Sequence, residues 1–192
     1  MGVVVFLNGA SSSGKTSLAR ALQLKWKTPL LRFGIDDVIS QMPFKYTGDE
    51  AEAEKGFLVR SKSAATEFVP GSWGCRLNEF AAGYVGEIAG SEFDIVVDYV
   101  LTEALLAPFV TALSSHKVLF CGVFCAASEL AAREKRRGDR APGLAERQSQ
   151  MVHFCREHYD LELDTTHSIS DVLAEQLLDY LATTELQPGL LR

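Results

Sequence analysis

The chain has 192 residues, 47% of them hydrophobic and 23% charged, and its net charge is −6. This is the make-up of one soluble globular domain, long enough to bury a core without disulfides or structural metal. The acidic balance tells against a general nucleic-acid surface, no apolar stretch is long enough to span a membrane, and nothing resembles a secretory leader, so a cytoplasmic protein is expected.

The apolar run Val3–Asn8 reads as a strand, and Ser17–Leu22 opens a helix. Between them stands Gly9-Ala10-Ser11-Ser12-Ser13-Gly14-Lys15-Thr16, the pattern G-x-x-x-x-G-K-[ST] in its strand–loop–helix setting. Glycines let such a loop wrap a phosphate, so that successive N–H groups and the helix N-terminus face its charge. Lys15 adds a full positive charge, Thr16 offers a hydroxyl to Mg²⁺, and Ser17 continues the cradle. The plain alternative, a Gly/Ser turn capped by Thr16, does not account for the whole pattern in this setting. A nucleoside triphosphate site follows, with ATP preferred over GTP. The guanine-reading N-K-x-D cannot occur, because Asn8 and Asn78 are the only asparagines.

Leu30–Ile35 forms the second predicted strand and delivers Asp36 and Asp37 to its end, before a helix over Val38–Met42. In an extended chain these neighbours face opposite ways. One can then take a proton from a substrate hydroxyl while the other caps the helix. The connection over residues 40–92 is longer than a crossover needs and is expected to build the acceptor pocket. Its acidic patch, Asp49, Glu50, Glu52 and Glu54, reads as a solvated helix face, and Trp73, Leu77, Phe80, Ala81, Tyr84, Val85 and Ile88 recur at helical spacing.

A third strand over Phe93–Asp98 carries Asp98 toward Mg²⁺ or the acceptor, with capping of the next helix as the alternative. Val118–Phe124 is the fourth strand. After it, Arg133, Arg136, Arg137 and Arg140 with the Gly138-Asp139 turn suggest a lid over residues 128–145 that closes on polyphosphate, against the plainer reading of a solvated basic helix. Leu144, Met151, Val152 and Cys155 follow at helical spacing. Leu161–Asp164 is the fifth strand, and a Leu-rich helix with Val172, Leu173, Leu177, Leu178 and Leu181 frays into Gln187-Pro188-Gly189. Cys75, Cys121, Cys125 and Cys155 read as buried free thiols, and the four histidines fall into no metal-ligand spacing. Strand–helix alternation with near-continuous apolar strands predicts an α/β three-layer sandwich around a five-stranded parallel sheet, as a single domain over residues 1–192.

These segments together resemble the chloramphenicol phosphotransferase family of P-loop kinases. The resemblance is carried by Leu7-Asn8-Gly9, Phe33-Gly34-Ile35-Asp36, Met42-Pro43, Val96-Val97-Asp98, Arg137-Gly138-Asp139-Arg140, Val152-His153 and Tyr159–Thr166. It implies a P-loop fold of the nucleotide- and shikimate-kinase type, and ATP-dependent phosphorylation of a primary hydroxyl, with antibiotic resistance as the role. It also implies that Asp36 rather than Asp37 is the base, that Arg133 and Arg137 are the lid arginines, and that Asp164-Thr165-Thr166 lies near the adenine. Residues 44–90 match the family poorly, and Tyr99 stands where the antibiotic kinase carries a second aspartate. The resemblance therefore supports ATP-dependent kinase chemistry more firmly than the acceptor, for which it makes a chloramphenicol-like antibiotic the leading candidate. Another small-metabolite kinase on the same scaffold, a nucleotide-hydrolysing regulatory module and a nucleic-acid kinase are the alternatives, the last disfavoured by charge. A homo-oligomer is compatible with all of these.

Overall fold

The structure is a computed structural model that describes residues 2–62, 65–138 and 141–192. Its centre is a five-stranded, all-parallel sheet of β1 (Val4–Asn8), β2 (Leu30–Gly34), β6 (Asp94–Tyr99), β7 (Val118–Phe124) and β8 (Leu161–Asp164), in the order β2-β6-β1-β7-β8. All five strands lie where the apolar runs predict them. Alternate residues of β1 serve two cores, because successive side chains leave a strand on opposite faces. Val4 and Phe6 pack with Val97, Phe109 and Phe120, under α3 (Ser72–Gly90) and α4 (Glu103–Ala112). Val5 and Leu7 pack with Leu18, Leu22 and Leu177, under α1 (Lys15–Lys25) and α7 (Ser170–Thr183). None of the described helices is long and apolar enough to cross a membrane.

Four expectations are corrected. The helix after β2 is α2 (Ile35–Ile39), starting earlier than the predicted Val38, so Asp36 and Asp37 sit in its first turn rather than on extended chain. The acidic patch forms no helix face: Glu52 lies between Lys45 and Lys55, at 2.8 and 2.6 Å, in a segment of short 3₁₀ turns. Beyond it, β3 (Thr47–Gly48), β4 (Phe57–Lys62) and β5 (Ala65–Pro70) form a second, three-stranded sheet that no periodicity announces, since β4 and β5 mix charged and apolar residues. The chain also does not fray after α7. Lys117 pairs with Pro188, Leu190 is buried, and the Arg192 guanidinium donates to the carbonyls of Gln187 and Val118 and to Asp160.

The helix α3 forms as its spacing predicts, but it is turned differently. Ala81 and Val85 are buried with Gly74, Asn78 and Ala89, whereas Trp73, Phe80 and Tyr84 face solvent. Small residues line the inner face because α3 approaches neighbouring backbone closely; a Cβ on Gly74 would stand 2.3 Å from the Gly56 carbonyl oxygen. The cysteines are all free; Cys121 and Cys155 are buried, Cys75 and Cys125 only half-buried.

A buried polar residue joins the ends of these elements. Asn8, wholly buried at the end of β1, donates to the Val152 carbonyl at 2.7 Å and the Tyr159 hydroxyl at 2.9 Å, and accepts from the Leu101 N–H at 2.9 Å. Truncation would take their side-chain partner from the buried Leu101 N–H and Val152 carbonyl, at about 1–3 kcal/mol each before relaxation, while the Tyr159 hydroxyl keeps its contact with His153. Asn8→Ala is expected to lower the unfolding free energy by about 2–4 kcal/mol, read by urea denaturation.

Candidate active site

The residues between β1 and α1 curl at the carboxyl end of the sheet, beside the central strand, where open α/β sheets place ligands. Gly9 is required by contact: a Cβ there would lie 2.5 Å from the Val123 carbonyl oxygen. Gly14 is required by conformation, with φ of 93°. The loop is pinned from outside. The Thr165 hydroxyl lies 2.6 Å from the Ser13 carbonyl, and the Gln148 side-chain oxygen accepts the Ser11 N–H at 2.8 Å. The Ser12 hydroxyl is buried beside the cavity with no partner among the described residues.

Lys15 is 5% exposed, donates to the Ala10 carbonyl at 2.8 Å, and stands 3.8 Å from an Asp98 oxygen. The other Asp98 oxygen accepts the Thr16 hydroxyl at 2.5 Å. A hydroxyl and a carboxylate side by side form a hard oxygen donor set, suited to a Mg²⁺ that keeps several waters and takes its other ligands from phosphate. The donor set therefore fits the expected ion. Asp98 does not cap the following helix. β6 runs one residue further to Tyr99, whose hydroxyl donates to buried Asn78 at 2.8 Å, so Tyr99 belongs to the core.

Asp36 and Asp37 separate clearly. Asp37 turns back to accept the Gly34 N–H at 2.7 Å and lies 3.6 Å from Arg32, closing the start of α2. Asp36 points the other way, 3.6 Å from the Arg137 guanidinium. The two side chains diverge through helical rotation rather than strand alternation.

Arg133 and Arg137 come from α5 (Ala127–Arg137), which ends on Gly138 at φ 72°. Arg133 is held by Glu129 at 2.8 Å and reaches the Thr165 carbonyl at 2.6 Å, which leaves it over Gly14. Arg136 also pairs with Glu129, at 3.0 Å. Asp139 and Arg140, which complete the predicted turn and its arginines, lie outside the described residues.

Two cavities meet here. One of about 510 Å³ is lined by the phosphate loop with Asp98, Arg133, Arg136, Arg137 and Thr165. The other, of about 690 Å³, is walled by Ile35, Ile39, Phe57, Phe68, Val100 and Leu144, with Asp49 and Arg60 among its polar lining. Phe57 and Phe68 stack nearly parallel at 5.7 Å. Asp36 and Ser11 line both cavities. Asp36, Asp37, Asp98 and Arg137 also border a smaller space toward Arg20 and Arg32.

Sequence reasoning missed the frame around these residues. Glu134, buried within the basic run, accepts the N–H groups of Gly143 and Ala145 and so caps α6 (Leu144–Met151) from α5. Thr66 of the small sheet donates to the Pro142 carbonyl, and Gln148 of α6 reaches Ser11. A glutamate among arginines reads as a surface ion-pair partner, so only its burial reveals the cap. His153 stacks on Phe124 with centroids 3.9 Å apart and lies 2.8 Å from the Tyr159 hydroxyl. Burial, aided by nearby Arg156, lowers its pKa to about 4, so the ring stays neutral and can accept that hydroxyl.

A family model described as chloramphenicol phosphotransferase-like protein matches residues 2–182. Two Mycobacterium tuberculosis proteins, from strains CDC 1551 / Oshkosh and ATCC 25618 / H37Rv, carry the provisional name O-phosphotransferase. Each is 30% identical over 191 residues, covering 92% of this chain and 80% of its relative. Among solved structures, a sugar kinase from Janibacter superposes with a TM-score of 0.68 at 17% identity, covering 95% of both chains. Shikimate kinase from Acinetobacter baumannii, in complex with shikimate, gives 0.63 at 15% identity over 96% of this chain and 95% of that one. The M. tuberculosis APS kinase, in complex with AMPPNP and APS, gives 0.58 at 17% identity over 95% of this chain and 98% of its own. At these identities the superpositions establish the P-loop kinase fold, while the family match runs through the phosphate loop, both strand-end aspartates and the arginine helix. The chain belongs to the chloramphenicol phosphotransferase-like family of P-loop phosphotransferases.

Proposed function

We propose that this phosphotransferase moves the γ-phosphoryl group of ATP to a hydroxyl of a small molecule, with Asp36 as general base and a chloramphenicol-like antibiotic as the leading acceptor. The observation that carries the reading is the position of Asp36, which lines both the polar cavity of the phosphate loop and the largely apolar cavity of the insertion. A carboxylate at that junction can take the proton from an acceptor hydroxyl while the oxygen lone pair attacks the γ-phosphorus and the β–γ bridging bond breaks. Stacked Phe57 and Phe68 and the aliphatic wall favour an acceptor with a planar apolar part, and the family description points to chloramphenicol.

The remaining roles follow from charge and reach. The loop from Gly9 to Ser17 would cradle the polyphosphate, with Lys15 supplying charge to its β- and γ-oxygens. Thr16 and Asp98 would hold Mg²⁺, which when bound neutralises charge on the transferring group. Arg133, over Gly14 and beside Thr165, suits the nucleotide side, where Ser168, Ile169 and Ser170 extend the wall toward a base. Arg137 would exchange its contact with Asp36 for the transferring phosphoryl, which frees the carboxylate as charge is stabilised. Residues 128–145 then act as a lid and 40–92 as the acceptor-binding insertion.

The test is purified protein with γ-labelled ATP, Mg²⁺ and a panel of hydroxylated compounds, chloramphenicol included. Transfer to none of them, with only phosphate released, would favour a hydrolysing module. On an accepted compound, Lys15→Ala is expected to lower kcat/KM by about 10²-fold or more without loss of folded signal in circular dichroism, because the polyphosphate loses its cation. Asp36→Asn should keep ATP affinity, measured by calorimetry, and lose about 10²- to 10⁴-fold in kcat. Asp37→Asn should retain most activity, because an asparagine oxygen can still accept the Gly34 N–H; the reverse ranking would move the base to Asp37. Arg137→Ala should act on kcat, since its charge is used in the transition state, and a defect confined to acceptor KM would place it in the acceptor pocket instead.

A further inference from the structure

A separate cavity of about 350 Å³ lies behind the phosphate loop. Ala10 and Ser13 of the loop line it, with Cys125, the residue after β7, and with Ser149 and His153 beneath. Two neighbouring serines divide between the spaces: Ser12 lines the polar cavity of the candidate active site, and Ser13 lines the cavity at the rear. Ser13 is 1% exposed, and its hydroxyl has no hydrogen-bond partner among the described residues. A buried hydroxyl is costly to leave unpaired, so one beside a cavity marks a place for a polar group.

Cys125 is the thiol that lines this cavity. Burial pushes the Cys121 thiol up, and that of Cys155 to about 11, so both stay protonated and inert. Cys75 is half-buried in the first turn of α3, 3.9 Å from the Pro70 carbonyl, and lines neither the rear cavity nor those of the candidate active site. Cys125 is half-buried, with a weak contact of 3.8 Å to the Ala126 carbonyl. Its chain neighbours hold the loop in place. The Phe124 carbonyl accepts the Thr165 N–H at 2.9 Å and lies 3.0 Å from the Thr165 hydroxyl, which reaches the Ser13 carbonyl at 2.6 Å. The Ala126 N–H donates to the Thr166 hydroxyl at 2.9 Å. A group added to Cys125 therefore lies between the back of the loop and the residues that pin it.

We propose that Cys125 is a modification site for a low-molecular-weight disulfide, whose transferred thiol fills the cavity behind the phosphate loop and weakens nucleotide binding. The Cys125 thiolate attacks one sulfur of the disulfide. A new S–S bond forms as the old one breaks, and the departing thiolate takes from water the proton that Cys125 gave up. The protein thiol is oxidised, and the released half of the disulfide is reduced. A short attached thiol with a polar end can pair with the Ser13 hydroxyl, while its bulk presses on Ala10 and on the anchors of Thr165. This role of Cys125 rests on nucleotide binding at the phosphate loop, and not on the acceptor or the base.

Hydroxyethyl disulfide is the probe, because the half it transfers is short and ends in a hydroxyl. Treated protein should gain a mercaptoethanol unit, mapped by peptide mass spectrometry to Cys125 ahead of Cys75, and should keep its circular dichroism. AMPPNP affinity, measured by calorimetry, should fall at least about fivefold and return on reduction with dithiothreitol. Linkage requires the converse: in a buffer of the disulfide and its thiol, saturating AMPPNP should lower the equilibrium constant for modification by the same factor. Cys125→Ser should bind AMPPNP as the untreated wild type does, and lose the response to the disulfide. Preferential labelling of Cys75, no adduct at Cys125, an unfolded product, or a Cys125 adduct with unchanged AMPPNP affinity would each overturn the proposal alone. Untreated protein that binds no AMPPNP would overturn the nucleotide reading and this role of Cys125 together.

Discussion

An eight-residue loop has to stay curled around a cavity, with its backbone held open by contacts to the rest of the fold. A loop left to itself would collapse onto its own hydrogen bonds, since backbone donors are rarely left unpaired. Here the restraint comes from outside, at three points. Asn8 anchors the entry to the loop, Gln148 holds Ser11, and Thr165 holds Ser13. These residues come from three parts of the chain distant in sequence, so the phosphate site exists only when the whole sheet and α6 are assembled.

The same restraint ties the two cavities together. The helix α6 touches α5 through Glu134, the small sheet through Thr66 and Pro142, and the phosphate loop through Gln148. It can transmit a displacement of the insertion or of α5 directly to the loop, because hydrogen-bonded carboxylates and amides leave little slack. Asp36 lines both cavities, and its neighbour Arg137 comes from α5.

Much of the scaffold was legible in the sequence, for a physical reason. The three inner strands β6, β1 and β7 are buried on both faces along almost their whole length, so each appears as a nearly unbroken apolar run, the edge strands β2 and β8 carry enough leucine to be read beside them, and the loop after the first strand is a pattern dictated by phosphate itself. Asp36, Asp98, Lys15 and Thr16 could be read because strand ends and a helix start place them without reference to distant segments. The small sheet was not legible. β4 has three apolar residues followed by Arg60, Ser61 and Lys62, which is no strand alternation, and Phe57 finds its partners, Phe68 and the core under α3, only in the folded chain. The helical spacing of the aromatic positions of α3 did not tell where they lie, because periodicity reports that residues are apolar, not which face the rest of the protein covers.

The sequence by itself determined the fold class, the phosphate loop and the family, because each is written in contiguous residues under local constraints. Tertiary structure alone decided that Asp37 closes a helix while Asp36 faces two cavities, since a rotation of about 100° per residue acts only once the start of α2 is set. It alone decided that Glu134 is a buried cap within a basic run, and that Trp73, Phe80 and Tyr84 lie outside. These outcomes depend on which surfaces meet across the fold, and no stretch of neighbouring residues carries that information.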